Sequence, residues 1–149
     1  MMMMNTQVRI TDAEWEVMRV VWAHESVTSR EIIEVLESKM QWKAPTIKTL
    51  IGRLVEKGAL ATSPEGRKFI YTASVSEQES MDLYTEDILS RVCNKHNGKV
   101  IADLVEEATL SKKDVAILIE LLQKKSESAL EVVPCECVAG QCECHLHHV

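Results

Sequence analysis

The chain has 149 residues, of which 46% are hydrophobic and 27% are charged; this balance is typical of globular proteins and excludes a disordered or collagen-like chain. A formal net charge of -6 disfavours nucleic-acid binding, because phosphate groups are neutralised by local positive charge. Residues 1–73, however, carry ten Lys and Arg against nine Asp and Glu, and residues 74–149 carry seven against fourteen, so nucleic acid is expected to contact the first half.

Nothing in the chain predicts a membrane protein. The apolar run Met1–Met4 is too short for a secretory signal, and no segment approaches the roughly 18 uninterrupted apolar residues of a membrane span. We therefore expect a cytoplasmic location and no membrane partner. In that compartment clustered cysteines bind metal more often than they form disulfides.

Three helices are predicted in the first half. A capping box (TDAE) begins at Thr11, and the apolar spacing after it predicts a helix over about 12–23. A second capping box, which begins at Thr28, predicts the next helix. Pro45 suits the first turn of a third helix, and Gly58 is expected to end it.

The residues after the third helix predict a β-hairpin. Residues 59–62 and 67–72 read as strands, the second rich in β-branched and aromatic residues, and the run SPEG at 63–66 favours a turn. Three helices followed by a hairpin is the order of a winged helix-turn-helix domain. We assign this domain to residues 1–73.

The second half predicts a helical region over residues 74–131. The small, polar residues 72–76 are interpreted as a linker, and a capping box at Ser76 opens a helix that Gly98 is expected to break. Cys93 is interpreted as a buried small hydrophobe on this apolar helix.

Two further amphipathic helices follow that break. One covers about 100–105, and a longer one begins at Ser111 with Asp114 at its third position. Because so short a region cannot enclose the apolar stripes of its own helices, we expect them to pair in a homodimer. The alternative is a monomer in which these helices fold back on the winged helix. The fold class is therefore mainly α with a small β-hairpin wing, an α-helical dimerisation region and a Cys-rich tail.

The polar face of the third helix and the end of the hairpin turn predict a DNA-binding surface. Hydroxyl and basic side chains on such a helix contact base edges and phosphates in the major groove, and basic residues on a wing contact phosphates. The candidate residues are Thr46, Lys48, Thr49, Arg53, Arg67 and Lys68, and Lys57 is placed on the same helix face. Phe69 and Tyr71 are expected to pack the wing on the helices. For the helix alone, an ordinary solvated face is the alternative.

Two segments carry a resemblance to a known family. Residues 42–73 (WKAPTIKTLIGRLVEKGALATSPEGRKFIYTA) resemble the recognition helix and wing of the BlaI/MecI repressor family, and residues 10–22 (ITDAEWEVMRVVW) resemble its amino-terminal region. The resemblance implies a dimer that binds a palindromic operator in double-stranded DNA and pairs through its carboxy-terminal helices. It also places Thr46, Thr49 and Arg53 at positions that the family uses at DNA.

Four of the five cysteines lie in a tail that we assign to residues 132–149. They form two Cys-x-Cys pairs, and alternate residues of an extended segment point to the same side, so each pair can offer two sulfurs to one centre. Gly140 lets the pairs converge. Four thiolates suit tetrahedral Zn(II), whereas soft sulfur at low coordination number suits Cu(I). The candidate metal ligands are Cys135, Cys137, Cys142 and Cys144. His145, His147 and His148 are left out of the site, and incidental cysteines or disulfides in a disordered tail are the alternative.

The tail motif resembles that of the CopY branch, the copper-responsive repressors of the same family. The resemblance implies that the zinc form binds DNA and that Cu(I), passed on by a copper chaperone, releases the repressor from copper-transport genes. The competing function is a copper-buffering or metal-transfer protein whose winged helix contacts only other proteins. No phosphate loop or paired acid site is found, so we do not expect an enzyme.

Overall fold

The computed structural model describes residues 8–144. Its helices are α1 (Asp12–Trp22), α2 (Ser29–Met40), α3 (Ala44–Glu56), α4 (Glu77–Ser90), α5 (Asn97–Glu107) and α6 (Lys112–Ser126). Its strands are β1 (Val27–Thr28), β2 (Leu60–Glu65) and β3 (Lys68–Ala73), and Asn94–His96 form a 3-10 turn. The predicted fold class, mainly α with a small β wing, is confirmed. The chain divides into two compact units, one ending at Thr85 and the other beginning at Glu86; the three-part division made from the sequence stays a prediction.

Local side-chain caps set the start of most helices. Thr11 Oγ1 accepts the Glu14 amide at 3.2 Å, while Glu14 Oε1 accepts the Thr11 amide at 3.0 Å. The same reciprocal pair joins Thr28 to Glu31. Each capping box satisfies two amides that a helix start leaves without partners. Helix α3 lacks a side-chain cap and has Pro45 in its first turn, where a missing amide costs nothing. The predicted starts of the first three helices are confirmed.

The first unit has one apolar core, formed where α1, α2 and α3 meet the small sheet. Its completely buried members include Met18 of α1, Ile32 of α2 and Leu54 of α3. The Trp22 indole nitrogen donates a 3.0 Å hydrogen bond to the carbonyl of Val75. This bond ties the end of α1 to the segment that follows the hairpin.

The sheet is antiparallel, with strand order β1-β3-β2. The hairpin is confirmed, but the predicted turn at 63–66 is wrong: β2 continues through Glu65, which pairs with Lys68, and the turn is Gly66-Arg67. Gly66 has φ of +65°, which glycine adopts without steric cost. Pro64 is accommodated because β2 is an edge strand.

The helices after the wing follow the sequence prediction in part. Ser76 caps α4 and Ser111 caps α6 as expected. The linker is shorter than predicted, because β3 extends through Ala73. Gly98 does not break a helix: α4 ends at Ser90, and Gly98 lies in the first turn of α5, where the backbone is least constrained by helical hydrogen bonds. No helix in the part of the chain that the structure describes is long and apolar enough to cross a membrane.

Candidate DNA-binding surface and metal centre

Helix α3 exposes a polar surface opposite its buried stripe. Thr46, Thr49 and Arg53 are all exposed, and at 3.6 residues per turn they fall within an arc of roughly 60°. The Thr49 hydroxyl donates to the Pro45 carbonyl at 3.0 Å, so its oxygen lies against the first turn of the helix. These three side chains therefore share one face, as the sequence predicts.

Lys48 lies on the other flank of the same helix. It is exposed and lines, with Ser29, Gly52 and Tyr71, a cleft between α3 and the sheet. The first turn of α3 contains no acidic residue. Its amides and the positive end of the helix dipole are therefore compatible with a nearby phosphate group.

The wing carries two exposed basic residues. Arg67 lies in the hairpin turn and Lys68 begins β3. Tyr71 is half-buried against the core, as predicted, but Phe69 is 57% exposed, so the expectation that it packs the wing on the helices is wrong. Phe69 lies opposite Pro64, nearer the turn, where residues 61–69 are all exposed.

Lys57, at the end of α3, contacts α1 through its side chain. Its ammonium group forms an ion pair with the carboxylate of Glu14, which is 2% exposed, and donates to the carbonyl of Arg9 at 3.0 Å. Burial would raise the pKa of Glu14, but hydrogen bonds from Lys57 and from the Thr11 amide outweigh it and lower the pKa. The Lys57 ammonium is therefore engaged by Glu14 and by the Arg9 carbonyl, although 30% of the Lys57 side chain stays exposed.

Four cysteine sulfurs converge in the second unit. The Sγ atoms of Cys93, Cys135, Cys142 and Cys144 all lie within 4.8 Å of one another. Cys135 Sγ is 3.6 Å from Cys93 Sγ and 3.3 Å from Cys142 Sγ, and Cys93 Sγ is 3.7 Å from Cys144 Sγ. These separations are far longer than the roughly 2.05 Å of a disulfide, and all of these thiols are free.

This group differs from the predicted ligand set by one member. It contains three of the four tail cysteines, and its fourth member is Cys93 instead of the predicted Cys137. The half-buried Cys137 is close enough to influence its neighbours, since its thiol affects the pKa of Cys93 and Cys142. Gly140, with φ of +96°, reverses the chain between the two pairs, as the sequence suggests. The three terminal histidines lie outside the described residues.

Cys93 is the member of this group that was not predicted as a metal ligand from the sequence. It is buried, as predicted, but it follows α4 instead of lying on it, and its carbonyl accepts the His96 amide of the 3-10 turn at 2.8 Å. No motif spacing connects it to the tail, because it precedes Cys135 by 42 residues. The only signal in the sequence was a fifth cysteine in a chain whose other four cysteines form a motif.

The thiols of the cluster change one another's pKa values. A hydrogen bond with Cys135 lowers the pKa of Cys142 to about 6, and a hydrogen bond with Cys93 raises the pKa of Cys144 to about 12. Burial, followed by hydrogen bonding with Cys142, raises the pKa of Cys137 to about 12. A hydrogen bond from the Lys95 amide lowers the pKa of Cys93 as well, so the metal-free cluster favours thiolates at Cys142 and Cys93 and protons at Cys137 and Cys144. A bound cation would replace those protons.

The donor set fits a thiophilic metal ion. A Zn–S bond of about 2.3 Å in a tetrahedron gives sulfur–sulfur separations of about 3.8 Å. The three sulfur–sulfur separations of 3.3, 3.6 and 3.7 Å are close to this value. The remaining separations among these four sulfurs are at most 4.8 Å, so modest shifts would bring all four to one ion. The same sulfurs are soft enough for Cu(I).

Comparison with known proteins places the chain in a family. The model of the Penicillinase repressor family matches residues 10–124. A protein of Latilactobacillus sakei, described as an uncharacterized 16.5 kDa protein in the ptsI 3′ region, is 46% identical over 91% of this chain and 92% of its own length. The penicillinase repressor of Bacillus licheniformis is 34% identical over 78% of this chain and 91% of its own length.

Among solved structures, the DNA-binding domain of the repressor BlaI aligns with a TM-score of 0.47 and 42% identity, covering 51% of this chain and 93% of that domain. The family match covers more than half of the chain, and the resemblance seen in the sequence is confirmed. This protein therefore belongs to the Penicillinase repressor family, the BlaI/MecI/CopY group of transcriptional repressors.

Proposed function

We propose that this protein is a metal-responsive transcriptional repressor that binds a palindromic operator as a homodimer. Its zinc form is competent for DNA, and Cu(I) releases it to derepress copper-transport genes. One observation carries the proposal: four cysteine sulfurs lie within 4.8 Å of one another in a chain that also has the winged helix of a repressor family. The Bacillus licheniformis relative is named a penicillinase repressor.

The DNA contacts are assigned to α3 and the wing. Thr46, Thr49 and Arg53 read base edges or phosphates from the major groove, in the manner of a recognition helix. Lys48 contacts the backbone from the flank of α3, and the two basic residues of the wing, Arg67 and Lys68, contact phosphates. The exposure of all six side chains supports this assignment.

Dimerisation is assigned to α5 and α6. Neither helix contains a buried residue, although both are rich in large apolar side chains. Exposed apolar residues on the two helices are Ile101, Leu104, Val105, Val115, Ile117, Ile119, Leu121 and Leu122. Apolar surface of this extent is stabilised by burial, and a second copy of the chain supplies a complementary surface with the same composition.

The metal response is assigned to the cysteine tail. Cys135, Cys137, Cys142 and Cys144 supply thiolates for Cu(I), delivered by a copper chaperone in the cytoplasm, where thiols stay reduced. Four thiolates with one Zn(II) carry the same net charge as four thiolates with two Cu(I). The switch then depends on geometry: Zn(II) braces one arrangement of the helices, and a two-copper cluster imposes another.

The competing function is metal buffering, with a winged helix that contacts only proteins. Family membership favours the repressor, and it confirms the expectation that the chain is not an enzyme. The deciding experiment titrates a palindromic duplex, selected in vitro from random sequences, with zinc-loaded and Cu(I)-loaded protein while metal is counted per chain. The repressor requires tight binding of the zinc form that is steeply weakened by salt, together with release by Cu(I). Equal binding of both forms, or no sequence preference, contradicts it.

A further inference from the structure

Cys93 enters the sulfur cluster from a different part of the backbone than the other members. It follows α4 and is only 6% exposed, and its carbonyl is fixed by the His96 amide at 2.8 Å. The other three sulfurs come from the tail, 42 to 51 residues later in the chain. The cluster thus joins a position fixed by a 3-10 turn to a tail whose described part, which ends at residue 144, contains no strand or long helix.

The geometry at Cys93 matches that of the tail sulfurs. Its Sγ lies 3.6 Å from that of Cys135 and 3.7 Å from that of Cys144, and both distances approach the edge of a ZnS₄ tetrahedron, about 3.8 Å. A buried cysteine that served only as a small hydrophobe would be surrounded by carbon, not by two other sulfurs. The position of Cys93 is therefore explained by coordination better than by packing.

We propose that Cys93 is a ligand of the divalent-metal form, together with Cys135, Cys142 and Cys144. The proposal rests on the proposed function and extends it, because the ligand set then includes a residue outside the Cys-x-Cys motif. A divalent ion held in this way closes a loop that contains both α5 and α6.

The closed loop suggests how the metal acts on the rest of the repressor. A cross-link that joins distant chain positions reduces the conformational freedom of everything between them. Here the segment between Cys93 and Cys135 carries the exposed apolar helices assigned to the dimer interface. Metal at this centre therefore restrains the helices that pair the two subunits, and losing the bond to Cys93 removes that restraint.

The test uses Co(II), a spectroscopic substitute for Zn(II), added without oxygen to the reduced full-length chain. The intensity of the sulfur-to-cobalt charge-transfer absorption increases with the number of thiolates that bind the ion. The matched variants are Cys93→Ser and Cys137→Ser. Cys137 is assigned to the Cu(I) form only, so we expect Cys137→Ser to keep the four-thiolate Co(II) spectrum, with a Co(II) dissociation constant within a few-fold of the unaltered protein. In Cys93→Ser, the charge-transfer absorption should fall to that of a three-thiolate site, and Co(II) should bind at least about tenfold more weakly.

A second measurement needs no variant. In the zinc-loaded protein, limited alkylation with iodoacetamide followed by mass spectrometry identifies the thiol outside the ligand set. Labelling at Cys137 before any other cysteine supports the proposal. Because this measurement uses the unaltered chain, it still identifies the ligands if circular dichroism shows that Cys93→Ser does not fold.

The outcomes separate this inference from the proposed function. If Cys137→Ser loses a thiolate while Cys93→Ser keeps all four, the centre lies in the tail alone. Cys93 is then not a ligand, and this result leaves the proposed metal-responsive repressor intact. If the unaltered chain gives no thiolate spectrum with Co(II), the divalent centre and the proposed metal response are both wrong.

Discussion

Lys57, just beyond the end of α3, forms an ion pair with Glu14 near the start of α1. The Glu14 side chain is 2% exposed and that of Lys57 is 30% exposed, so the carboxylate depends on this partner more than the ammonium does. Glu14 also completes the capping box of Thr11. One carboxylate therefore holds the start of α1 and the end of α3 together.

Removing Lys57 should destabilise the first unit. Lys57→Met leaves the Glu14 carboxylate buried without its cation, and we expect the free energy of unfolding to fall by roughly 1 to 3 kcal/mol. Urea denaturation followed by circular dichroism measures this. The matched control is Lys39→Met, which breaks a more exposed pair with Glu16 and should cost less than about 1 kcal/mol. Equal losses in the two variants would show that burial of the carboxylate is unimportant.

The same carboxylate predicts a pH dependence. The pKa of Glu14 is lowered in the folded chain from its ordinary value of 4.5, so the unfolded chain binds this proton more readily. Its contribution to stability is complete above about pH 4.5 and is lost as pH falls through the lower folded-state pKa. The difference in unfolding free energy between the unaltered chain and Glu14→Gln should therefore shrink below about pH 4.5. A difference that stays constant from pH 7 to pH 3 would refute the assignment.

Arg53 is predicted to contribute to operator affinity. Its exposed guanidinium shares a face of α3 with Thr46 and Thr49, and loss of a bidentate or charged contact costs about 1 to 3 kcal/mol. Arg53→Ala should therefore weaken binding to the selected operator by roughly 5- to 150-fold in a fluorescence anisotropy titration. Arg19→Ala, which removes an exposed arginine from α1, is the control and should change affinity little. Similar losses of affinity in both variants would mean that the positive charge of the protein as a whole, and not the polar face of α3, determines DNA binding.

The tail cysteines are predicted to control the metal response without contributing to DNA contact. Replacing Cys135, Cys137, Cys142 and Cys144 together by serine should leave operator binding of the metal-free protein within a few-fold of the unaltered chain. The same variant should no longer release DNA when Cu(I) is added, because the soft ligands are gone. Anisotropy titrations with and without Cu(I) measure both effects. Release that persists in the variant would place the copper sensor elsewhere.

The exposed apolar surface of α6 is predicted to form part of the dimer interface. Leu122 is 57% exposed in the single chain, and burying a leucine side chain fully is worth about 1.5 to 3 kcal/mol. Because a symmetric dimer contains two copies, Leu122→Glu should raise the dimer dissociation constant by at least about tenfold in analytical ultracentrifugation. The neighbouring exposed Gln123→Glu adds the same charge and should have little effect. An unchanged dimer in both variants would exclude this part of α6 from the interface.

Most element boundaries could be predicted because the interactions that set them are local. The capping boxes at Thr11, Thr28 and Ser111 join residues three apart, so four consecutive letters are enough to predict each helix start. Boundaries without such a local signal were less accurate. The hairpin turn moved to Gly66-Arg67 because strand pairing extended β2 through Pro64, and Gly98 was absorbed into α5.

The winged-helix order, the polar face of α3 and the cysteine motif could be predicted from the amino-acid sequence, because helical periodicity, caps and close spacing depend on neighbouring residues. The position of the Lys57 side chain and the set of sulfurs that meet could be found only in the folded chain. The contacts of Lys57 with Glu14 and Arg9 span 43 and 48 residues, and the approach of Cys93 to Cys135 spans 42. Contacts of that range depend on how the whole chain packs, and no local pattern of residue types encodes them.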